Sequence, residues 1–423
     1  MNPHSRDVVE PGPIGQLHMD IQAFKCLESA SEDGLNYARI VAPYLYDTSF
    51  KGQLKLLALS FGFEVQVLVQ TVDAATHLIF YGARSKKRAD YDYIVDTIRT
   101  TLGGCAAYAE ARDVLSPLQW FRTLCRLPAS IRMTRGFSAS LTSRLVVGSL
   151  IARMRSVSTR LLASLPSGHR TIITFCDAHS VENLVTQAEM KRGIVAITNQ
   201  HGQYRVLDDR NMSPDAEAYA NFISNRMIVW GEATIREFEK VGCSADRFAV
   251  AGWIRRKQQC DAGSSKRVFG VMLNGQNGRE SNLALLSAAA VLAEALDLTY
   301  VVRLHPWTPL SAYRHAVDAR CEKLMHASLA EYCRLVDFSL AHMSGAVVEL
   351  LDQRQAVYLL DDGRLADVFR RPGLAWESPQ AIIEAVKRDA ADSDELFRRI
   401  DNLAVWYNDD TDQLDKLAKA LRS

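Results

Sequence analysis

The sequence predicts an α/β chain made of two doubly wound domains in tandem, with a helical tail at its carboxyl end. Short apolar runs alternate with helical stretches between Thr171 and Leu360, which is the pattern of parallel βαβ units. Polar turns follow several of these strands, and 423 residues exceed what one hydrophobic core usually organises. We therefore expect a flexible amino terminus, two domains and helices that pack back on them: residues 1–17, 18–255, 264–378 and 379–423.

The composition is that of an ordinary globular protein, with 48% hydrophobic and 23% charged residues. A net charge of +1 gives no global field of the kind that marks a nucleic-acid binder. The eight cysteines are scattered, without a CxxC pair or a Cys–His spacing suited to zinc, which favours reduced thiols in a cytosolic protein. Met1–Gly15 lacks the apolar core of a signal peptide, and no uncharged apolar run reaches the length of a membrane span.

The first elements alternate between helical and strand patterns. Apolar residues have helical spacing over Met19–Tyr46, whereas alternation of apolar and polar residues predicts a strand over Phe61–Val72. A second short strand, Leu78–Tyr81, precedes an amphipathic helix, Tyr91–Leu102, which Gly103-Gly104 ends. The predicted order is therefore α, β, β, α.

The segment from Val114 to Cys176 differs from the rest in charge, because it contains no Asp, Glu or Lys. Its arginines alternate with apolar residues, including Trp120, in helical spacing; they are Arg122, Arg126, Arg132, Arg135, Arg144, Arg153, Arg155, Arg160 and Arg170. Such amphipathic helices lie at anionic membrane surfaces, line a groove for an anionic acceptor, or form a solvated basic face packed on the domain. The preference for Arg over Lys favours an anionic partner, since the guanidinium group binds phosphate and carboxylate with two hydrogen bonds.

From Thr171 onward the first domain becomes regular. Strands and helices are predicted in alternation at Thr171–Phe175, Ser180–Met190 with Ser180 as N-cap, Ile194–Thr198, Met227–Trp230, Thr234–Val241 and Phe248–Val250. Because the carboxyl ends of parallel strands meet at one edge of a sheet, the polar residues that follow them should line one cleft. These residues are Asp177, His179, His201 and Glu232.

A polar stretch from Arg255 to Lys266 has the composition of a linker, and a second βαβ series follows it. Its elements are predicted at Val268–Leu273, Glu280–Leu296, Leu298–Leu304, Ser311–Asp318, Leu329–Leu335, Asp337–His342, Ser344–Leu351 and Ala356–Leu360. The turn from Asn274 to Gly278 contains two glycines and small amides, so its backbone N–H groups could approach a phosphate.

The strand Leu298–Leu304 ends in Arg303 and His305, and Pro306 prevents its continuation. A buried parallel strand of this kind delivers polar side chains to the ligand-binding edge of its sheet. The alternative interpretation is a strand end with an incidental histidine. Two other polar turns favour a site, Gln200-His201-Gly202 upstream and His342-Met343-Ser344-Gly345 downstream.

Two such domains facing each other across a cleft resemble the GT-B glycosyltransferase arrangement. Arg303-Leu304-His305-Pro306 followed by Ser344-Gly345 resembles the HP and serine motifs of bacterial transferases that use cytidine-activated donors. These are the sialyltransferases, the capsular Kdo transferases and the teichoic-acid glycerophosphotransferases. Gln200-His201-Gly202 is similar to the His-Gly turn of the capsule and teichoic-acid members.

The resemblance implies that His305 and Ser344 contact the phosphate of the nucleotide donor. The residue types at these turns suit the same role, because the charge on a leaving phosphate must be neutralised by cationic groups and N–H donors. Arg303, Pro306, Gly345, Asn274 and Gly275 are assigned to the same donor site, and Glu349, about one turn into the following helix, to the ribose hydroxyls.

Transfer to a hydroxyl acceptor also needs a general base, and histidine is the side chain whose ordinary pKa lies closest to working pH. His201 is the candidate base, with Asp177 as the alternative, and His179 or Glu232 would orient the acceptor. The competing interpretation of His201 is a hydrogen-bonded strand-end residue. Because no DxD pair follows a strand, we expect neither a metal nor a cofactor.

The chain departs from the resembled families in two places. Asp361-Asp362-Gly363 has the letters of the sialyltransferase acidic motif but lies in the second domain, and Gln203-Tyr204-Arg205 replaces the small residues and Lys of the glycerophosphotransferases. A UDP-sugar transferase or UDP-GlcNAc 2-epimerase-like enzyme is thus an alternative, and a two-domain small-ligand binding protein is the non-enzymatic one. The expected setting is the cytoplasm, with peripheral contact at the inner face of an anionic membrane, and a glycan or lipid-linked acceptor in capsule or lipopolysaccharide synthesis.

Overall fold

The computed structural model describes residues 13–72, 75–82, 89–137, 140–208, 212–255, 267–275, 278–306 and 308–422. The α-helices are α1 (Pro13–Lys25), α2 (Tyr37–Val41), α3 (Phe50–Gly62), α4 (Ala89–Thr101), α5 (Pro117–Met133), α6 (Leu141–Ser164), α7 (Ser180–Lys191), α8 (Glu217–Ala220), α9 (Glu232–Glu239), α10 (Arg279–Leu296), α11 (Leu329–Cys333), α12 (Gly345–Asp352), α13 (Pro379–Ala391), α14 (Ser393–Tyr407) and α15 (Gln413–Arg422).

The strands are β1 (Ser31–Glu32), β2 (Leu35–Asn36), β3 (Phe63–Gln70), β4 (His77–Tyr81), β5 (Ala106–Leu115), β6 (Thr171–Thr174), β7 (Val195–Asn199), β8 (Arg226–Val229), β9 (Phe248–Val250), β10 (Val268–Met272), β11 (Thr299–Arg303), β12 (Cys321–Met325), β13 (Phe338–Ala341), β14 (Ala356–Leu360) and β15 (Ala375–Trp376). The predicted α/β class with a helical tail is confirmed.

The chain forms two compact units. The first comprises the chain up to Val229, Phe238–Ala249 and the chain from Leu414, and the second comprises Trp230–Glu237 and Val250–Gln413. The chain therefore passes between units four times: after Val229, inside α9, after Ala249 and at the start of α15. The predicted linker near residue 260 lies outside the described residues, as does the predicted flexible amino terminus up to residue 12; residues 13–17 lie in α1.

Among the described residues, the first unit contains a seven-stranded sheet in the order β3-β5-β4-β6-β7-β8-β9. Strands β5, β4, β6, β7 and β8 run parallel to their neighbours, whereas β3 pairs antiparallel with β5 at the edge. Helices α6 and α7 contribute Leu150, Ile151 and Leu184 to the same buried cluster as Phe80 and Ile172 of the sheet. This packing fixes the strand ends that carry the candidate site.

The second unit contains a sheet in the order β12-β11-β10-β13-β14-β15, in which all pairs are parallel. Val302 of β11 and Leu340 of β13 are fully buried in one cluster with Leu292 of α10. At the centre of β10, a Cβ on Gly270 would stand 2.0 Å from the hydroxyl of Tyr332, so only glycine fits there. Tyr332 in turn donates a hydrogen bond to Ser339 at 3.1 Å.

Several elements differ from the predictions. The sequence patterns did not predict α3, β5, β12 or β15. The stretch Met19–Tyr46, predicted as helical, contains β1 and β2, and the predicted helix Ser311–Asp318 contains only two short 3-10 turns. Helix α7 has His179, not Ser180, at its N-cap position. Two of these strands, β12 and β15, lie at the edges of their sheet, where partly exposed positions weaken the apolar pattern.

The arginine-rich segment forms α5, α6 and β6, and not all its arginines point outward as an amphipathic basic face requires. Arg153 is buried and ion-paired with Asp113, and Arg155 binds Glu32. Arg122 and Arg160 both contact Glu64 at 3.0 Å. The interpretation as a solvated basic face is therefore wrong for Arg153 and Arg155, whereas Arg122 and Arg160 are ion-paired but partly exposed. No helix in the described ranges is long and apolar enough to cross a membrane.

Candidate functional site

In the first unit, β6, β7 and β8 lie side by side and run parallel, so the turns at their carboxyl ends share one edge of the sheet. The turn after β6 contains Asp177 and His179, and the turn after β7 contains His201. Glu232 begins α9 in the second unit, where its carboxylate pairs with Arg236 at 2.8 Å. The structure therefore brings three of the four predicted acceptor-side residues to one edge, and the role of Glu232 stays a prediction.

Asp177 is buried, and its carboxylate is used to join two loops. One carboxylate oxygen accepts hydrogen bonds from the backbone N–H groups of Ile223 at 2.9 Å and Ser224 at 2.6 Å. Burial raises the pKa of Asp177, and the two N–H donors oppose this rise. These contacts are those of a structural anchor, so they favour His201 over Asp177 as the candidate base.

His201 is half-buried and held in place by Tyr204. The Tyr204 hydroxyl lies 2.9 Å from Nδ1 of His201, and the two rings meet edge to face with their centroids 5.5 Å apart. The ring of His179, which is exposed, has its centroid 6.1 Å from that of His201. A hydrogen bond at one ring nitrogen fixes the plane in which the other nitrogen exchanges a proton or binds a ligand.

Cys176 lies close to these two histidines, and the sequence patterns did not predict this. Ligand atoms of Cys176, His179 and His201 all lie within 4.8 Å of one another. The prediction that no Cys–His spacing suits zinc overlooks the Cys-x-x-His spacing of positions 176 and 179. The third member could only be found from the pairing of β6 with β7.

In the second unit, β11, β10, β13 and β14 are neighbours, and each ends in polar residues at the same edge. His305 follows β11 and lies against the turn after β10, since a Cβ on Gly275 would be 3.8 Å from its ring. Arg303 donates from Nε to the carbonyl of Ala327 at 3.0 Å. Burial, and then the neighbouring charge of Arg303, lower the pKa of His305. Both effects favour the neutral form of this ring.

His342, after β13, links two further strand ends. Its Nε2 lies 3.0 Å from a carboxylate oxygen of Asp362, and its Nδ1 lies 3.5 Å from the side-chain amide of Asn274. Burial alone would raise the pKa of Asp362, but hydrogen bonds from Ser281 and His342 bring it below its ordinary value. Asp362, of the Asp361-Asp362-Gly363 turn, therefore lies with His342 and Asn274 at the edge where the strands of the second sheet end.

Ser344 and Gly345 form the start of α12, as the motif predicts. The hydroxyl of Ser344 is the N-cap and accepts a hydrogen bond from the N–H of Ala346 at 3.3 Å. A Cβ on Gly345 would meet no heavy atom within 4 Å, so the space beside this helix terminus is open. The N-terminus of α12, a helix of eight residues, can attract a phosphate through its backbone N–H groups and its dipole.

Glu349 lies farther along α12 and contacts Arg255. The Arg255 guanidinium is 3.4 Å from the Glu349 carboxylate, binds Asp352 as well, and lies over the ring of Trp253 at 4.6 Å. Pro306 ends the His305 turn. The assignment of Glu349 to a ribose stays a prediction.

No protein-family model matches the chain, and no curated protein matches it either. Solved structures do. A protein from Listeria monocytogenes described as a UDP-N-acetylglucosamine 2-epimerase aligns with a TM-score of 0.50 at 11% identity, over 81% of this chain and 94% of that one. The UDP-GlcNAc 2-epimerase of Neisseria meningitidis, bound to UDP-GlcNAc, aligns with a TM-score of 0.48 at 10% identity, over 82% and 100%. The calicheamicin glycosyltransferase aligns with a TM-score of 0.43 at 13% identity, over 82% and 96%.

Identities this low establish the fold alone. The chain has the fold of two Rossmann-like α/β units that GT-B glycosyltransferases and UDP-GlcNAc 2-epimerases share.

Proposed function

We propose that this protein is a GT-B-type transferase that moves a sugar or polyol phosphate from a nucleotide-activated donor, with cytidine favoured, to a glycan or lipid-linked acceptor. The observation that carries the proposal is the edge of the second sheet. His305 follows β11 there and the N-terminus of α12 follows β13, and these two strands flank β10. An imidazole, the guanidinium of Arg303 and helix N–H groups are the donors that a leaving phosphate requires.

In this proposal the first unit supplies the base. The acceptor hydroxyl oxygen attacks the carbon, or the phosphorus, that the nucleotide activates, and His201 takes the hydroxyl proton. The bond to the leaving nucleotide breaks, and its electron pair goes to the phosphate oxygen at the second-unit edge. His179 would orient the acceptor at the same edge as His201, and Asn274, Gly275, Ser344 and Gly345 would bind the donor.

A thermal-shift panel tests the donor class. The full chain is heated with CMP, CDP and UDP at equal concentrations, and we expect the cytidine nucleotides to raise the melting temperature most. His305→Ala should lose this shift, whereas His315→Ala, which changes an exposed histidine, should keep it. A larger shift with UDP would favour the UDP-sugar transferase or 2-epimerase alternative, and no shift with any nucleotide would contradict the proposal.

The first unit has a further feature in α5, which buries its polar face and exposes its apolar face. Its buried face is polar: Gln119 donates to Thr123 at 3.0 Å and to Ser156 at 2.7 Å. Its outer face is apolar, with Leu118, Trp120 and Phe121 exposed by 63%, 56% and 65%. A helix normally buries its apolar face, so this face is expected to meet something other than water.

Helix α3 packs against α5 and also exposes apolar side chains, those of Phe50 and Leu54; the exposed sides of these two helices are called the α3–α5 face. Lys51 and Lys55 are exposed on α3, and neither helix contains Asp or Glu. Apolar side chains combined with cations of one sign match an anionic lipid surface. We therefore propose that this α3–α5 face contacts an anionic membrane, where a lipid-linked acceptor would be met.

Flotation with vesicles tests the α3–α5 face. The full chain should bind vesicles that contain an anionic phospholipid at least about 10-fold better than zwitterionic ones, because each nearby Lys adds roughly 1 kcal/mol. The double variant Leu118→Glu/Phe121→Glu should lose this binding. The matched control is Phe397→Glu/Val405→Glu on α14, where the exposed fractions are 44% and 49%. Unchanged binding by the first variant, or loss of a dimer in its place, would contradict the membrane assignment.

A further inference from the structure

Cys176, His179 and His201 form a cluster at the carboxyl edge of the first sheet that the transfer chemistry does not fully use. The N–H of His179 donates to the carbonyl of Cys176 at 3.0 Å, which closes the turn and holds both side chains on it. His201 arrives from the end of the neighbouring strand β7. Ligand atoms of all three residues lie within 4.8 Å of one another.

A thiolate and two imidazoles form a ligand set that selects a borderline transition ion such as Zn²⁺ over Mg²⁺ or Ca²⁺. Around tetrahedral Zn²⁺, with bonds of roughly 2.0–2.3 Å, ligand atoms are separated by about 3.5 Å. Separations of at most 4.8 Å therefore reach this geometry by small side-chain rotations, without a change in the pairing of β6 with β7.

The surroundings of the cluster suit a metal ion. The N–H of Cys176 donates to the buried carboxylate of Glu182, and the Tyr204 hydroxyl contacts Nδ1 of His201 at 2.9 Å, so both ligands are oriented by a second residue. His179 is the N-cap residue of the twelve-residue helix α7, and Cys176 lies in the turn that precedes it, on the positive side of the helix dipole, which favours the thiolate. Cys176 is buried whereas His179 is exposed, so the site has one buried ligand and one side that reaches solvent.

We propose that Cys176, His179 and His201 bind a Zn²⁺-class ion with three protein ligands and a fourth position open to solvent. A coordinated imidazole cannot also accept a proton. Because His201 is the proposed base, an ion in this site would switch transfer off, and this second part rests on the proposed function. Transfer itself needs no metal in this scheme, and the ion would act as an inhibitor.

Cobalt titration of the full chain tests the binding, because Co²⁺ bound to a thiolate shows a ligand-to-metal charge-transfer band and Co²⁺ bound only to histidines does not. We expect one equivalent of Co²⁺ to produce the band and Zn²⁺ to displace it. Cys176→Ser should abolish the band and weaken Zn²⁺ affinity at least about 100-fold, since loss of even an outer-sphere partner costs 10- to 100-fold. Cys333→Ser, which changes a buried cysteine of the second unit, should leave the band unchanged.

His179→Ala gives a second route to the same conclusion, because this exposed residue can be removed with little effect on folding; the affinity should again fall by at least about 100-fold. A wild-type spectrum without the thiolate band, or a band that survives in Cys176→Ser, would overturn the site.

The inhibitory part has a separate readout in a transfer assay. Zn²⁺ should inhibit the wild-type protein, and Cys176→Ser should transfer at the wild-type rate without inhibition at the same Zn²⁺ concentration. If the cobalt band forms but saturating Zn²⁺ leaves transfer unchanged, the site stands and the inhibition is refuted. If the protein transfers from no nucleotide donor, the proposed function fails while the cobalt titration still decides the metal site.

Discussion

At the scale of single residues, the two histidines assigned to chemistry differ in what surrounds them. His201 contacts the hydroxyl of Tyr204, which fixes the plane of its ring, and it lies near His179. The ring of His305 lies against Gly275, and burial together with the charge of Arg303 lowers the pKa of His305. The first environment suits proton acceptance from a hydroxyl, and the second suits N–H donation to a phosphate.

Replacement of His201 by Ala should lower kcat by about 10²- to 10⁴-fold, the range for loss of a general base, and leave nucleotide affinity within about twofold. Initial rates with the donor identified by the thermal-shift panel measure the first effect, and calorimetry with the nucleotide measures the second. His315→Ala is the control. A binding protein without catalysis would show no turnover in any variant, and an unchanged kcat would remove His201 from the mechanism.

Donor affinity should depend on pH through His305. Its pKa in the free protein lies below the ordinary value, and a bound phosphate favours the imidazolium and raises this pKa. Affinity should therefore be highest below the lowered pKa and fall as pH rises through it, by about tenfold for one unit of coupling. Calorimetry between pH 5 and 8 measures this. His305→Gln should show only the titration of the nucleotide itself, and a wild-type profile identical to that of the variant would contradict the assignment.

At the scale of elements, turns do most of the positioning, and the turn after β6 depends on Asp177. Asp177→Ala would leave the buried N–H group of Ser224 and the partly buried N–H group of Ile223 without their acceptor. We expect a loss of about 3 kcal/mol in the free energy of unfolding, given 1–3 kcal/mol for an unsatisfied buried group. Urea denaturation measures this loss. If stability is unchanged while kcat falls 100-fold or more, Asp177 is the base and the structural assignment fails.

The start of α12 offers a second test at this scale. Ser344→Ala removes an N-cap, which should cost about 1 kcal/mol of stability, and it should also weaken nucleotide binding about tenfold. Ser378 is the equivalent N-cap of α13, and its Oγ accepts a hydrogen bond from the N–H of Ala381 at 3.2 Å. Ser378→Ala should therefore cost the same stability without an effect on nucleotide binding. Equal nucleotide affinity in the two variants would remove the α12 terminus from the donor site.

The sequence was informative where a strand is buried on both faces and ends in a recognisable turn. Ala356–Leu360 was predicted at the observed bounds, and the turns at His201, His305 and Ser344 lie at strand ends as expected. Edge strands such as β12 and β15 were missed because their exposed positions interrupt the apolar run.

Contacts between distant segments could not be predicted from one sequence. Cys176 meets His201 because β6 pairs with β7, and His342 meets Asp362 because β13 pairs with β14. Local patterns also misassigned the arginine-rich helices, since Arg153 and Arg155 find Asp113 and Glu32 in segments far away along the chain. Periodicity shows which helix face is apolar, but it does not show which face is buried when polar networks such as that of Gln119 replace the apolar contact.

At the scale of the whole molecule, each unit repeats one principle: parallel strands end at a common edge, and that edge collects the polar residues. The first unit collects imidazoles and a thiol, and the second collects a histidine, an arginine and an open helix terminus. A division between a base and a phosphate site is what transfer from an activated donor requires.

The central claim is that the edge of the second sheet binds the donor phosphate, and a crystal structure of the full chain with CDP tests it most directly. We predict phosphate oxygens within hydrogen-bond distance of the His305 ring and of the amide of Gly345 at the start of α12. A CDP molecule whose phosphates lie away from both groups would contradict the claim.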